Sequence, residues 1–396
     1  MSIDFQQVRE QIIRLGESAP QRARQLETLR RAARMALDQA AADQEHLQEK
    51  ISRAVGLNPN LRCAVPGGET INAAAPLPDL PERATILAAD GSQIFPERNA
   101  PTDYSLVNVG AIRMTRGAAE TPHLTVRSKL LYDDQMYTEN GRITERLVAL
   151  MRDLAERSLL AELAAGLDPP VITLTDGPLE LWNARDGFEN QRIFEVKFDE
   201  YLAALSRLQE LGVSTAGYID NPSSDLVVRM LEIQIIEDKD LPQAGREFRP
   251  LRGVTDLELF APILDPCQRS AIFRIQSSTA GKYTGKLGLH FFYLHVGAAN
   301  AGKPYLARVE IPAWVAENPQ MVDDLHALLI EQCRAMGSRR FPYLLHRSHE
   351  VALVTRAEKE QVESMIYLEL RRNGVAPGET GHKPALKSLP GRTRRG

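Results

Sequence analysis

The stretch Ala84–Pro101, ATILAADGSQIFPERNAP, decides the fold. It begins as an apolar run and then places a carboxylate, Asp90, directly before Gly91 and Ser92. A short apolar run bounded by turn residues reads as a buried core strand, and in open sheets ligands and metals sit at the ends of such strands. Two roles compete for an aspartate read at a strand's end. It can close an Asx-turn, its side chain bonding the backbone of the Asp-Gly-Ser segment. It can also be a ligand, in which case a second carboxylate is needed.

Working outward, residues 169–182, PPVITLTDGPLELW, form another apolar run that ends in Asp-Gly, at Asp176 and Gly177. If the two strands are neighbours in one sheet, Asp90 and Asp176 emerge side by side at the same edge, where glycines let the backbone turn and a ligand approach. Two carboxylates a few ångströms apart raise one another's pKa unless a cation lies between them. Carboxylate oxygens suit hard divalent cations, so the pair suggests Mg²⁺ or Mn²⁺.

The segment between the strands reads as a helix over 144–165, with Leu147, Leu150, Met151, Leu154, Leu159 and Leu163 at helical spacing. It offers Glu145, Asp153, Glu156 and Glu162 as a third ligand. Glu156 flanks the apolar stripe, whereas Glu145 and Asp153 are expected to face water. Strands are also expected at 104–114 and 123–132, so the core opens with consecutive strands. A helix at 199–211, a strand at 215–220 and a helix at 223–237 then alternate. Further strands near 271–277, 288–296 and 305–311 precede helices at about 320–336 and 356–371. The class is α/β.

Residues 1–56 read as an N-terminal helical arm, broken at Ser18-Ala19-Pro20, and 57–83, rich in Pro, Gly, Asn and Ala, as a linker. The core is expected over 84–370, with a loop at 238–256, and 371–396 as a basic, disordered tail. From Arg371 on, seven basic residues face one acid, Glu379, although the whole chain has a net charge of −4. Basic tails of this kind contact phosphate. No run of eighteen apolar residues occurs, which argues against a membrane span, and the charged first residues argue against a signal peptide. Three separated cysteines, Cys63, Cys267 and Cys333, lack metal-site spacing and suit reduced thiols in the cytoplasm.

AADGSQIFP, MRDLAERSLL, the TDGPL turn, GYIDNPSSDLVVRML and FPYLLHRSHEVALVTRAEK, in this order, resemble the NurA nuclease family over most of residues 84–370. The resemblance implies a ribonuclease H-like core, a mixed sheet flanked by helices. It implies a Mn²⁺- or Mg²⁺-dependent DNA nuclease, a 5′ to 3′ exonuclease and single-strand endonuclease, working as a homodimer with the hexameric HerA ATPase in DNA-end resection and break repair. The family's first aspartate falls on Asp90, its helix glutamate on Glu156, its second aspartate on Asp176 and its C-terminal histidine on His349. The family's tyrosine is replaced by Phe341, with Tyr343 as a substitute.

In two-metal hydrolysis one cation activates water and the other stabilises the leaving oxygen, and a shared carboxylate bridges them; Asp90 is best placed to be that bridge. Asp176 and Glu156 complete the shells, and His349 ligates or transfers a proton. His346 is a rival to His349, while His290 and His295 read as structural. Phe291, Phe292, Tyr293 and Trp314, with Arg308 and Lys303, offer a stacking platform for single-stranded DNA, although strand aromatics are more often core. Arg246, Arg249 and Arg252 are the better phosphate contacts. The competing class is a DNA-binding adaptor of the same fold that lacks a complete metal site; convergence of Glu156 and His349 on the two aspartates separates them. An actin-like ATPase is disfavoured by the lack of a Gly-rich phosphate loop.

Overall fold

The computed structural model describes residues 3–97, 100, 102–139, 141–181, 191–298 and 304–375. The chain divides into two compact units. One takes in the chain up to Glu82, Asp176–Glu180 and Ser214–Tyr343; the other takes in Arg83–Thr175, Leu181–Val213 and the chain from Leu344 on.

The first unit opens with α1 (Phe5–Ala42), started by Asp4, whose carboxylate accepts from the backbone N–H groups of Gln6 and Gln7. The expected break at Pro20 is not there. Proline removes one N–H and crowds the carbonyl four residues back, and here that residue is Gly16, which is exposed, so the freed carbonyl lies on an open face of the helix and the helix runs through. The break falls at Asp43, whose side chain caps α2 (Gln44–Leu57) by accepting from the His46 N–H. Nor is 57–83 a bare linker: β1 (Cys63–Pro66) and β2 (Ala74–Ala75) lie within it.

The second unit starts with β3 (Ala84–Ile94), β4 (Tyr104–Arg116) and β5 (His123–Tyr132), an antiparallel meander in continuous register from Ala84↔Arg116 to Ile94↔Leu106 and from Tyr104↔Tyr132 to Arg113↔His123. A small hairpin, β6 (Tyr137–Thr138) with β7 (Gly141–Arg142), leads to α3 (Glu145–Ala164), capped by the Thr144 hydroxyl. Next comes β8 (Val171–Asp176), which runs parallel to β3 from Thr85↔Val171 to Ala89↔Thr175. The first six residues of β3 and the first five of β8 are buried, as a strand covered on both faces requires. Helix α4 (Gln191–Glu210) packs on α3. Three antiparallel strands, a helix, and a fourth strand parallel to the first make the mixed, helix-flanked sheet that a ribonuclease H-like core implies.

The chain then returns to the first unit through β9 (Ser214–Ile219), α5 (Leu226–Ile235), α6 (Asp256–Phe260), β10 (Arg269–Ser270), β11 (Phe273–Gln276), β12 (Leu289–Ala298), β13 (Pro304–Pro312), α7 (Ala313–Ala316) and α8 (Pro319–Ala335). Its strands follow the order β1-β11-β12-β13-β9, all antiparallel, and β2 pairs with β10. Buried Asp256 accepts from the N–H groups of Val227 and Val228 at the start of α5 and from the Tyr293 hydroxyl, and burial lifts its carboxyl to about 6 despite these bonds.

Two helices close the second unit. Between the helices expected at about 320–336 and 356–371 lies a further helix, α9 (Tyr343–Ala352), followed by α10 (Arg356–Arg372), which a Thr355/Glu358 capping box starts. Val362 and Ile366 of α10 pack on the cluster of Ile94, Tyr104 and Leu106. The C-terminal end of α9 is pinned to the sheet. The Ala352 carbonyl accepts from Ser92 Oγ (2.5 Å) and Asn108 Nδ2 (2.7 Å), and Ser128 Oγ donates to Asn108 Oδ1 (2.6 Å). Gly110 lets the helix come this close, since a Cβ there would lie 2.6 Å from the Ala352 nitrogen. We predict that Gly110→Ala lifts α9 from the sheet and costs about 1–3 kcal/mol, the usual penalty for overpacking. Thermal or denaturant unfolding measures this, and a variant as stable as wild type contradicts the pinning.

Candidate active site

Asp90 does not sit in a turn. Strand β3 runs straight through Asp90, Gly91 and Ser92, and all three pair with β4, opposite Gly110, Val109 and Asn108. What ends at this point is the other ladder: the last β3–β8 pair is Ala89↔Thr175. Asp90 therefore occupies the position where the parallel partner stops while the antiparallel one continues. Its side chain is 17% exposed, and Oδ1 accepts from the Gly91 N–H at 2.8 Å. The expectation that Asp90 stands at the end of its strand does not hold, since β3 continues to Ile94.

His349 lies one turn before the pinned end of α9, and this places it over Asp90. Nδ1 stands 2.7 Å from Asp90 Oδ2, with the imidazole 61% exposed. With Nδ1–H donating to the carboxylate, Nε2 is left with its lone pair, the tautomer suited to holding a cation or passing a proton. His346, the rival, stands 3.7 Å from Glu350 on the same helix.

Glu156 comes from α3 and is 6% exposed. A Cβ on Gly91 would lie 2.6 Å from Glu156 Oε1 and 2.4 Å from Arg152 Cγ, so the glycine after Asp90 makes the notch that these side chains fill. Glycine is needed here for space, not for a turn. Arg152 spans the notch: Nη1 donates to Gln93 Oε1 (3.1 Å), Nη2 to Asp153 Oδ1 (2.6 Å), and Nε lies 3.4 Å from Glu156 Oε1. Asp153, expected in water, is half-buried beside this guanidinium. Burial pushes the Glu156 carboxyl well above the usual carboxylate range, the Asp153 charge adds to the rise, and Arg152 offsets part of it. Burial likewise raises Asp153, against the pull of Arg152.

Asp176 closes β8 one residue after Thr175, as Asp90 follows Ala89, and is exposed. Glu145 is exposed, and Glu162 pairs with Arg127 at 2.8 Å on the surface. The other candidates divide. Arg246 and Arg252 are exposed, but Arg249 is held inside its own unit by Glu232 and by Asp225 (2.7 Å), so it is a structural cation and not a phosphate contact. Phe291, Phe292, Tyr293 and Trp314 are buried, and Arg308 stacks on Phe291 and pairs with Glu310, so this set is core; Lys303 lies outside the described residues. His295 is buried, with Nδ1 2.9 Å from the Leu264 carbonyl oxygen, and His290 Nδ1 lies 3.1 Å from that of Gly288, as their structural reading requires. Phe341 packs edge-on to Tyr218, and Tyr343 is half-buried at the start of α9.

Among the described residues, no three His, Cys, Asp or Glu side chains stand close enough to share one ion. The donors nevertheless suit a hard cation in kind: carboxylate oxygens at Asp90 and Glu156, one imidazole nitrogen, and a glycine notch that brings Glu156 to the strand. Among the described residues the Arg152 guanidinium contacts Asp153 and Glu156 directly, and the buried Arg157 guanidinium also acts on both.

The raised Glu156 carboxyl gives a stability prediction. Because the folded-state pKa exceeds the unfolded value of about 4.3, the stability this group contributes is full below that value. It is lost as pH rises through the folded pKa. Glu156→Gln should therefore be more stable than wild type at pH 8, and the two should converge toward pH 4. Melting temperatures across that range measure the difference, and a gap independent of pH contradicts the assignment.

Comparison with known proteins agrees with the resemblance read from the sequence. The NurA domain model matches residues 84–354. The NurA nuclease from Sulfolobus solfataricus is 12% identical, with 85% of this chain and 94% of that one covered at a TM-score of 0.45. A NurA structure with manganese is 11% identical, covering 82% of this chain and 97% of that one at 0.40. The catalytic domain of human Endonuclease V is 12% identical, covering 82% and 98% at 0.31. No curated protein matches in sequence. The matched domain spans more than half of the chain, which belongs to the NurA family.

Proposed function

We propose that this NurA-family chain is a divalent-metal-dependent DNA nuclease, acting as a 5′ to 3′ exonuclease and single-strand endonuclease. The observation that carries the reading is the Asp90 carboxylate at the end of the β3–β8 ladder, bonded to His349 on one side and followed by the notch that admits Glu156 on the other. Two supports come from family membership and from a relative whose structure holds manganese.

Asp90, Glu156 and His349 would hold the ion or ions, with Asp176 added from the matching position on β8. Bound Mn²⁺ or Mg²⁺, two ions per site, supplies a more acidic water and a Lewis acid for the leaving oxygen. Asp90, whose Oδ1 accepts from the Gly91 N–H and whose Oδ2 faces His349, would be the carboxylate shared between the ions. His349, largely exposed and held through Nδ1 by Asp90, would hand a proton to the leaving group or complete the shell. Ionised Glu156 is the form that ligates, so a proton must leave it first. Exposed Arg246 and Arg252 and half-buried Tyr343 are proposed to touch the phosphate backbone. We assign the partners by family: a HerA-type hexameric ATPase, a second copy of the chain, and a place in DNA-end processing and break repair in the cytoplasm. Among the described residues no helix is long and apolar enough to cross a membrane.

One observation favours a second reading, a non-catalytic DNA-binding adaptor that partners the ATPase: no three donor side chains converge among the described residues. End-labelled single- and double-stranded DNA incubated with the purified chain and Mn²⁺ separates the two. Wild type is expected to degrade it, and Asp90→Ala to lose at least about a hundredfold in rate, the scale of a lost essential metal ligand. Binding without cleavage, with or without an ATPase partner, establishes the adaptor.

A further inference from the structure

Ionised acids held together out of water need a cation beside them, whether or not a metal is present. Here Asp153 and Glu156 sit on the same side of α3, three residues apart, and Arg152 lies across both. Its position is built, not incidental. The alkyl stem fills the Gly91 notch, Gln93 on β3 fixes Nη1, and the forked remainder reaches Asp153 and Glu156. Each anchor comes from the segment that carries Asp90 or from the helix that carries Glu156.

We propose that Arg152 is an internal counter-ion that competes with the divalent cation for Glu156, so that metal binding requires the guanidinium to leave the notch. The inference rests on the metal-dependent reading above. A guanidinium neutralises the acids but presents only donors, so it cannot polarise water or a phosphate ester as a metal does. While it bridges Asp153 and Glu156, Glu156 Oε1 is turned toward it. Released, the same side chain is long enough to point outward, where its fork suits a phosphate oxygen pair on the substrate. Arg152 thus offsets the charge of the acid cluster while it lies in the notch and, once displaced, carries its positive charge to the mouth of the site.

The test is direct Mn²⁺ binding to the full chain, by the loss of the free-ion electron paramagnetic resonance signal, without DNA. Arg152→Gln removes the competitor and is expected to bind Mn²⁺ about tenfold tighter than wild type, the value of one charge-assisted bond given up. Its melting temperature without metal should fall, and its gain on adding Mn²⁺ should exceed the wild-type gain. Arg152→Lys keeps the charge but not the fork, so it should fold as wild type does and bind with intermediate affinity. Equal or weaker Mn²⁺ binding in both variants overturns the proposal and makes Arg152 a scaffold for the site. Asp90→Asn, combined with each background, tests the underlying reading separately. If it abolishes binding while Arg152→Gln changes nothing, the metal site stands and only the competition fails. If wild type binds no Mn²⁺, the metal-dependent reading itself is lost.

Discussion

Everything at the site depends on where carboxylates are allowed to be buried. Asp90, Asp153 and Glu156 stand within one small region of the second unit, mostly out of water, and ionised groups there repel unless a positive charge is shared among them. Three local features follow from that constraint. Gly91 provides the room, Arg152 the charge, and the strand-bound Gln93 the fixed point from which that charge is held. The fold contributes by ending the β3–β8 ladder at Ala89↔Thr175, which leaves Asp90 held by β4 on one edge only.

The position of His349 shows how a distant segment is tied into the same place. Its helix buries Leu344, Leu345 and Ala352, and polar groups fix its C-terminal end: Ser92 and Asn108 grip the carbonyl at its last residue, and Gly110 leaves the space for it. Ser92 lies on the strand that carries Asp90, and Asn108 and Gly110 lie on the strand paired with it. The sheet that supplies the carboxylate also fixes its partner, so a small shift in β3 or β4 moves both together.

Much of this was legible beforehand where physics is local. β4 and β5 lay close to the limits that their apolar runs set, and α3 came within a residue of its predicted ends, because burial periodicity and end signals agreed there. Asp90 could be singled out because a second apolar run, ending at Asp176, also closes in Asp-Gly. Reading the Asp-Gly-Ser segment as a turn failed because glycine's turn propensity was taken at face value, whereas here the missing Cβ matters for packing. Asp153 was sent to solvent by its place beside the apolar stripe. The available signal was the i, i+4 pair Arg152 and Glu156 around it, which marks that flank of the helix as charged but inward. Pro20 and the 57–83 segment were misread for a shared reason: breaker residues state a preference, and an exposed Gly16 or a receptive strand edge overrides it. His349 could be placed only by resemblance, since its pairing spans 259 residues of sequence.

The most direct measurement of the central claim is anomalous diffraction at the manganese edge from crystals of the chain soaked in Mn²⁺. The account predicts a peak bounded by Asp90 and Glu156, with the Arg152 guanidinium moved out of the Gly91 notch. Crystals that hold manganese elsewhere, or none, while Arg152 still bridges Asp153 and Glu156, would contradict it.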